Sequence, residues 1–487
     1  CTTPPVCPDC MAGFMASGSP TYNASACTYD TSSCMCAPLP PLSVGAVGSH
    51  LHAAAGSDNA LWLSAYSPGD PTENSRYGDL VVGRWNTSTM RVDWVHVDGV
   101  PADGMVTGDT TGWRGGISTP GDDVGRFNSI AVDAMGRPRV AYWDTTHDKL
   151  KFASFDGTRW TSHTVDANGS NGRYASLVLL ADGTPVIAYR AVDVGMDGAV
   201  RAVVRVARAN GAAPGRSADW TIADVGALAS ACRAADCAMG QACVESTGRC
   251  TATTSGCSPA CGSGSACVGG RCADVFDANY IEGVSPGALY INLLADAMGR
   301  LSLVWYHRDR GNLMYARSNA MGTFAAPTIL DGEGAMRADT GDRGIYASAR
   351  LDAMGNLHVA YVDGWAERLM YLRVVDGTPM GAPREVDDGA GLGTTPFDDG
   401  KHIVGDSAAI DVASDGTVRV AYQDSTAGTL RLATLAPMGM AFTRSVIDLN
   451  NHTGYWAAIA GGQVATYWRD LSDASMRQWG VRVAPLR

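Results

Sequence analysis

The sequence predicts an all-β protein: a seven-bladed β-propeller with an N-terminal disulfide-rich knob and a cysteine-rich inserted module. Three observations carry this. The stretch Ser129–Asp166 alternates apolar and polar residues in four short runs separated by Asp/Gly turns, the pattern of an antiparallel meander. The meander recurs, with a Tyr closing the second run at Tyr66, Tyr142, Tyr189, Tyr306, Tyr361, Tyr422 and Tyr467. A tight-turn signal precedes each Tyr, and the turns starting at Asp133, Asp296 and Asp352 are the identical Asp-Ala-Met-Gly. Self-similarity at about 40–50 residues with four strands per unit means sheets too small to stay dry singly, stacked radially around an axis.

Taken in order, residues 1–38 are too short to hold a core without staples. They carry Cys1, Cys7, Cys10, Cys27, Cys34 and Cys36, which are expected to form disulfides. Cys7-Pro-Asp-Cys10 has zinc-ligand spacing, but no second CxxC or nearby His completes such a site. A cysteine at the first position resembles the lipidated residue of bacterial lipoproteins, whereas lipidation of Cys1 would leave five thiols in the cluster. Residues 39–229 are assigned to blades 1–3. Leu42–Val47 precedes the first regular strand and is expected to supply the outer strand of the last blade, closing the ring. Residues 230–274 interrupt the series with a tandem unit, Cys232, Cys237, Cys243 and Cys250 followed by Cys257, Cys261, Cys267 and Cys272. This module should project from the face that carries the loops after each Tyr. Residues 275–487 supply blades 4–7, the last with three clear strands.

The repeat SIAVDAMGRPRVAYWDTTHDKLKFASFDG resembles those of secreted bacterial propellers, loosely sialidase-like or lectin-like, over residues 40–487. The insertion, with its Cys-x-x-Gly-x-Ala-Cys-Val core and Gly-Arg-Cys ending, resembles EGF-like or Dickkopf-like cysteine repeats of bacterial surface proteins. The sialidase resemblance would imply a Phe/Tyr-Arg-Ile-Pro motif, which this chain lacks; Ser414-Asp415-Gly416-Thr417 is a fragment of the other sialidase box.

A net charge of −12 argues against sequence-independent binding of nucleic acid, which needs Lys and Arg against phosphates. No apolar run approaches the ~18 residues of a membrane helix, so membrane anchoring would require a lipid on Cys1. Paired cysteine clusters point to an oxidising compartment, the extracellular space or the outer cell surface.

Candidate site residues come from loops that differ between blades. Past the Tyr markers lie Trp143 and Asp144, Arg190, His307 to Asp309 with Arg308 between, Asp363 and Trp365, Asp424, and Trp468 to Asp470 with Arg469 between. The connections into the first strands add Phe127, Tyr174, Tyr346, Tyr455 and Trp456. Flat aromatics beside carboxylates and guanidinium groups suit sugars or peptides, by stacking and bidentate bonding. His50-Leu51-His52 offers a histidine pair without a third ligand. The acidic runs Asp122-Asp123, Asp387-Asp388 and Asp398-Asp399-Gly400 could take calcium, without the loop pattern that would specify it. No HExxH, nucleophile elbow, Walker loop or dinucleotide fingerprint is present. The expectation is therefore a non-catalytic extracellular or cell-surface module, binding a protein partner or glycan or assembling into an array or filament. The alternative is a glycoside hydrolase or lyase using carboxylates at the propeller mouth. No cofactor is implied beyond that calcium.

Overall fold

Blade 2 shows how the sequence makes a blade. Its strands Val124–Val132, Pro138–Asp144, Lys149–Phe155 and Trp160–Asp166 pair antiparallel in chain order. The Asp-Ala-Met-Gly turn joins the first two. Asp133 Oδ1 accepts the N–H groups of Met135 and Arg137 at 2.9 Å each, and Gly136 takes a φ of +77°, which favours glycine. Asp296 and Asp352 cap the same turn in blades 4 and 5, which is why the tetrapeptide recurs.

The computed structural model describes residues 14–17, 21–23, 28–30 and 35–38, then most of 47–486. It leaves out 69–77, 109–112, 195–199, 226–236, 245–248, 263–264, 276–287, 309–310, 334–339, 398, 450–451 and 470–478. Seven sheets stand around one axis, each led by an inner strand. These are Ser49–Ala55, Val124–Val132, Ser170–Leu179, Leu289–Ala295, Arg343–Leu351, Val404–Val412 and Tyr455–Ala460. Each inner strand abuts the next, and that of blade 7 abuts that of blade 1, so the ring is closed.

The described strands of the last blade are Tyr455–Ala460, Gln463–Arg469 and Trp479–Pro485. The expected closing strand lies, but for Val47, outside the described residues. Val47 is buried in a cluster with Val481 and Val483 of blade 7, as Val124 is with Leu80 of blade 1, the contact with which an inner strand enters against the blade before it.

Neighbouring blades share their cores. Leu80, Val82 and Val97 of blade 1 form one cluster with Val124, Ile130, Val140 and Tyr142 of blade 2, each such side chain contributing about 1.5–3 kcal/mol by burial. The Tyr markers add a polar clasp across four of the junctions. Tyr142, Tyr189, Tyr361 and Tyr422 donate their hydroxyls to Asp98, Asp166, Asp331 and Asp387 at 2.5, 2.8, 2.5 and 2.5 Å. Each of these aspartates ends the outer strand of the preceding blade.

Nearer the axis a second belt links inner strands. Ser129, Ser176 and Ser348 accept the N–H groups of Leu177, Leu293 and Ile410 in the following blade at 2.9–3.1 Å, and Asn292 accepts that of Ala349 at 3.1 Å. These bonds fix the inner strands against one another, which matters for whatever the axis holds.

The insertion between blades 3 and 4 is two hairpins, Gln241–Val244 with Arg249–Ala252 and Ser265–Val268 with Arg271–Asp274. Disulfides join Cys237 to Cys250, Cys257 to Cys267 and Cys261 to Cys272. The second and fourth cysteines of each unit are thus paired, a connectivity that the sequence leaves open. Before the propeller, Phe14–Ser17 pairs with Met35–Pro38 and Thr21–Asn23 with Thr28–Asp30. Cys1, Cys7, Cys10, Cys27 and Cys34 lie outside the described residues.

Candidate ligand site on the propeller axis

The inner strands do not alternate regularly. In each blade the pairing between inner and second strand slips near the inner strand's start, so two residues oppose one. At every slip one residue takes the left-handed conformation. These are His50, Phe127, Tyr174, Tyr290, Tyr346, Ser407 and Trp456, with φ from +46° to +56°. Such a φ is strained for a bulky residue, and here the bulge sustains it in all seven blades. Its effect is to turn those side chains onto the axis.

Two residues ahead, six blades place a glycine: Gly48, Gly125, Gly172, Gly344, Gly405 and Gly454, with φ from +98° to +136°. A Cβ on Gly125 would lie 2.8 Å from Leu80 Cα, and one on Gly172 2.8 Å from Leu150 Cα. The glycines let each inner strand enter tight against the preceding blade; blade 4 has Ala288 instead.

The result is a collar of rings. Going round, His50–Phe127, Phe127–Tyr174, Tyr174–Tyr290 and Tyr290–Tyr346 have centroids 4.8, 4.5, 5.6 and 4.9 Å apart, and Trp456–His50 5.4 Å. Ser407 leaves one gap, between Tyr346 and Trp456. Below the collar lies a cavity of about 270 Å³ whose polar lining includes His52, Asn128, Asn292, Ser348 and Arg350. No carboxylate is among its described lining residues.

Electrostatics set the protonation of the collar. Burial pushes the His50 imidazole down to about 3, with Arg126 and His52 acting in the same direction, so it is neutral at physiological pH. Burial first, and Arg350 second, also holds His52 below its ordinary value. Burial raises the phenols of Tyr174, Tyr290 and Tyr346, which stay protonated and can donate. The pocket therefore offers neutral donors and acceptors between aromatic faces, with one guanidinium, that of Arg350, deeper in.

The expected site residues divide. Tyr174, Tyr346, Trp456 and Phe127 form the collar with His50, and sequence reasoning missed Tyr290 and the break at Ser407. Trp143 packs beside Phe127 with centroids 5.9 Å apart, donates to Asp148 at 2.8 Å and carries Arg173 over its ring. Arg190 is buried, and it and Arg308 act on Tyr174 by charge. Asp144, Asp363 and Asp424 are buried at the end of their second strands. There they accept loop N–H groups from His147, Ala366 and Ala427 at 3.0, 3.2 and 2.9 Å. Asp363 also binds Arg343 and Arg368, and Asp424 binds His402. These aspartates hold loops in shape. Trp365 is exposed against Gly341. His307 is half-buried at the end of its strand. Trp468 carries Arg482 over its ring, and Arg469 lies over Tyr455 and donates to its hydroxyl at 2.8 Å. Asp309 and Asp470 lie outside the described residues. Asp122 comes together with Asp144 and His147, the first half-buried, the second buried and the third exposed.

No family model and no curated protein matches the chain. Solved structures with this architecture do. The polysaccharide lyase Uly1 aligns at 11% identity over 98% of both chains, with a TM-score of 0.43. An α-L-arabinanase of Penicillium chrysogenum aligns at 13% identity over 74% of this chain and 92% of its own, TM-score 0.40. The Hadza microbial sialidase Hz136 aligns at 11% over 90% and 65%, TM-score 0.41. At such identity the likeness concerns the fold alone. These propellers are enzymes, so the fold gives no ground for the expectation that this protein is not one, and that expectation is withdrawn. That expectation rested on missing contiguous motifs, and a site assembled from one residue per blade needs none.

Proposed function

We propose that the protein takes a carbohydrate into the axial pocket. The observation that carries this reading is the collar: five aromatic rings and an imidazole, held by six of seven equivalent bulges around a cavity with a polar lining. Sugars present apolar C–H faces that stack on rings and hydroxyls that need neutral donors and acceptors, and the layer below the collar supplies both. The disulfides seen among the described residues of the insertion fit an exported protein working outside the reducing cytosol. Among the described residues no helix is long and apolar enough to cross a membrane.

His50, Tyr174, Tyr290 and Tyr346 line the same cavity, but an imidazole held near 3 is a weak base and phenols raised above their ordinary value are weak acids, so these groups suit hydrogen bonding to a bound sugar rather than proton transfer.

The test is a glycan array followed by incubation of the bound polysaccharides with the protein and analysis for shortened products. Trp456→Ala and Tyr346→Ala should each lower glycan affinity by about tenfold or more, the range measured when a stacking ring is removed from a site. Binding that survives both truncations would overturn the axial assignment.

A further inference from the structure

The deepest charged group in the axial cavity is Arg350, and its setting is unusual. Arg350 lies four residues past the collar residue of blade 5 and lines the cavity. Its Nη1 donates to its neighbour Ala349 O at 3.2 Å, and its Nη2 to Ile459 O of blade 7 at 3.4 Å. The side chain therefore reaches past blade 6 and forms a bar across the floor of the cavity.

The guanidinium has no carboxylate within 4.0 Å among the described residues. Asp411, at the corresponding place in blade 6, acts on it by charge from further off while pairing with Arg419 of its own sheet at 3.8 Å. Asp406, next to the gap in the collar, accepts the Ser425 hydroxyl at 2.5 Å. His52, which also lines the cavity, is held below its ordinary value by burial and by Arg350 itself. A half-buried guanidinium that spends two donors on carbonyl oxygens keeps further N–H groups and its charge for an anion entering the cavity.

We propose that Arg350 is the anion-recognition element of the axial pocket, so that the sugar it takes carries an acidic group directed to the floor. This rests on the carbohydrate reading above and narrows it to acidic sugars. The collar stacks the ring, the Asn and Ser layer meets hydroxyls, and the guanidinium receives the oxyanion in a charge-assisted, bidentate-capable contact. A carboxylate and a sulfate ester share this chemistry.

The experiment is calorimetric titration of the full chain with glucuronate, galacturonate, glucose 6-sulfate, glucose and galactose. At least one acidic sugar should bind about tenfold or more tighter than its neutral counterpart, the worth of a hydrogen bond to a charged group. The sulfate arm distinguishes the two oxyanions. Arg350→Gln should abolish the preference, and Arg350→Lys should retain part of it. Equal binding of acidic and neutral sugars by the unmutated protein overturns the inference, and this comparison does not depend on any variant folding. So does a preference that survives Arg350→Gln. If neutral sugars bind and are lost in Trp456→Ala without an acid preference, the carbohydrate reading stands and the role of Arg350 falls. If none of the five sugars binds, both fall.

Discussion

Gly172 offers the sharpest test of how the collar is built. Replacing it with alanine asks two things of the chain. The residue must hold a φ of +103°, a conformation that costs a side-chain-bearing residue about 1–3 kcal/mol. Its new Cβ must also find room where Leu150 Cα and N already lie 2.8 Å away. Those are backbone atoms and cannot swing aside, so blade 3 must retreat from blade 2, at a further cost of about 1–3 kcal/mol for an overpacked contact. The sum is about 2–6 kcal/mol. Gly136→Ala is the matched control: its φ is +77° but nothing lies within 4 Å of the added Cβ, so only the backbone cost of about 1–2 kcal/mol remains. Urea unfolding followed by tryptophan fluorescence would compare the midpoints. Because Tyr174 is two residues on, Gly172→Ala should also weaken ligand binding, whereas Gly136→Ala should not. Equal midpoints for the two variants would refute the argument that the glycines exist to let neighbouring blades touch.

Other consequences can be measured with similar economy. Tyr189→Phe removes the clasp to Asp166 and leaves a buried carboxylate with Arg205 at 3.4 Å as its remaining side-chain partner; thermal unfolding should register a loss of about 1–3 kcal/mol. Burial alone would raise the Asp133 carboxyl, but hydrogen bonds from Arg137 and Arg139 and the turn N–H groups outweigh it and hold the group below its ordinary value. A depressed folded value means stability present above about pH 4 and lost as pH falls through the folded value, so Asp133→Asn should flatten the acid limb of the stability curve. Reduction of the insertion's disulfides, those described each closing a short loop worth about 3 kcal/mol, should render residues 237–274 protease-sensitive while the propeller's melting is unchanged. Dilute peroxide should oxidise the exposed turn methionines Met135, Met298 and Met354 before the buried Met314 and Met370, as peptide mass mapping would show.

The fold was legible because its repeat is written in short-range chemistry. Asp and Gly mark the turns, alternation marks the strands, and a Tyr recurs because each blade needs the same contact with the one before it. The collar was legible only in part. Tyr174, Tyr346 and Trp456 stand out as aromatics that vary between blades, but a bulge erases the alternation that would show which face they take. Tyr290 passed as one more apolar strand residue, and His50 as half of a metal pair. The missing signal was spacing: Gly-x-ring recurs at Gly48 to His50, Gly125 to Phe127, Gly172 to Tyr174, Gly344 to Tyr346 and Gly454 to Trp456. Asp144, Asp363 and Asp424 drew attention for a different reason. A carboxylate that caps a loop and one that moves a proton look alike until its partners are known. Arg350 gave no warning at all, since nothing local tells an arginine spanning to another blade from one reaching into water.

A circle of rings interrupted once has a direction. Because Ser407 supplies no ring, the wall of the pocket is low on the side of blade 6 and high elsewhere. A chain of linked residues seated by its terminal unit has one low exit, out over that blade, so longer ligands would be sorted by what the loops flanking Asp406 and Ser425 tolerate. If the pocket seats a sugar as proposed, filling the notch with a seventh ring should restrict it to single units.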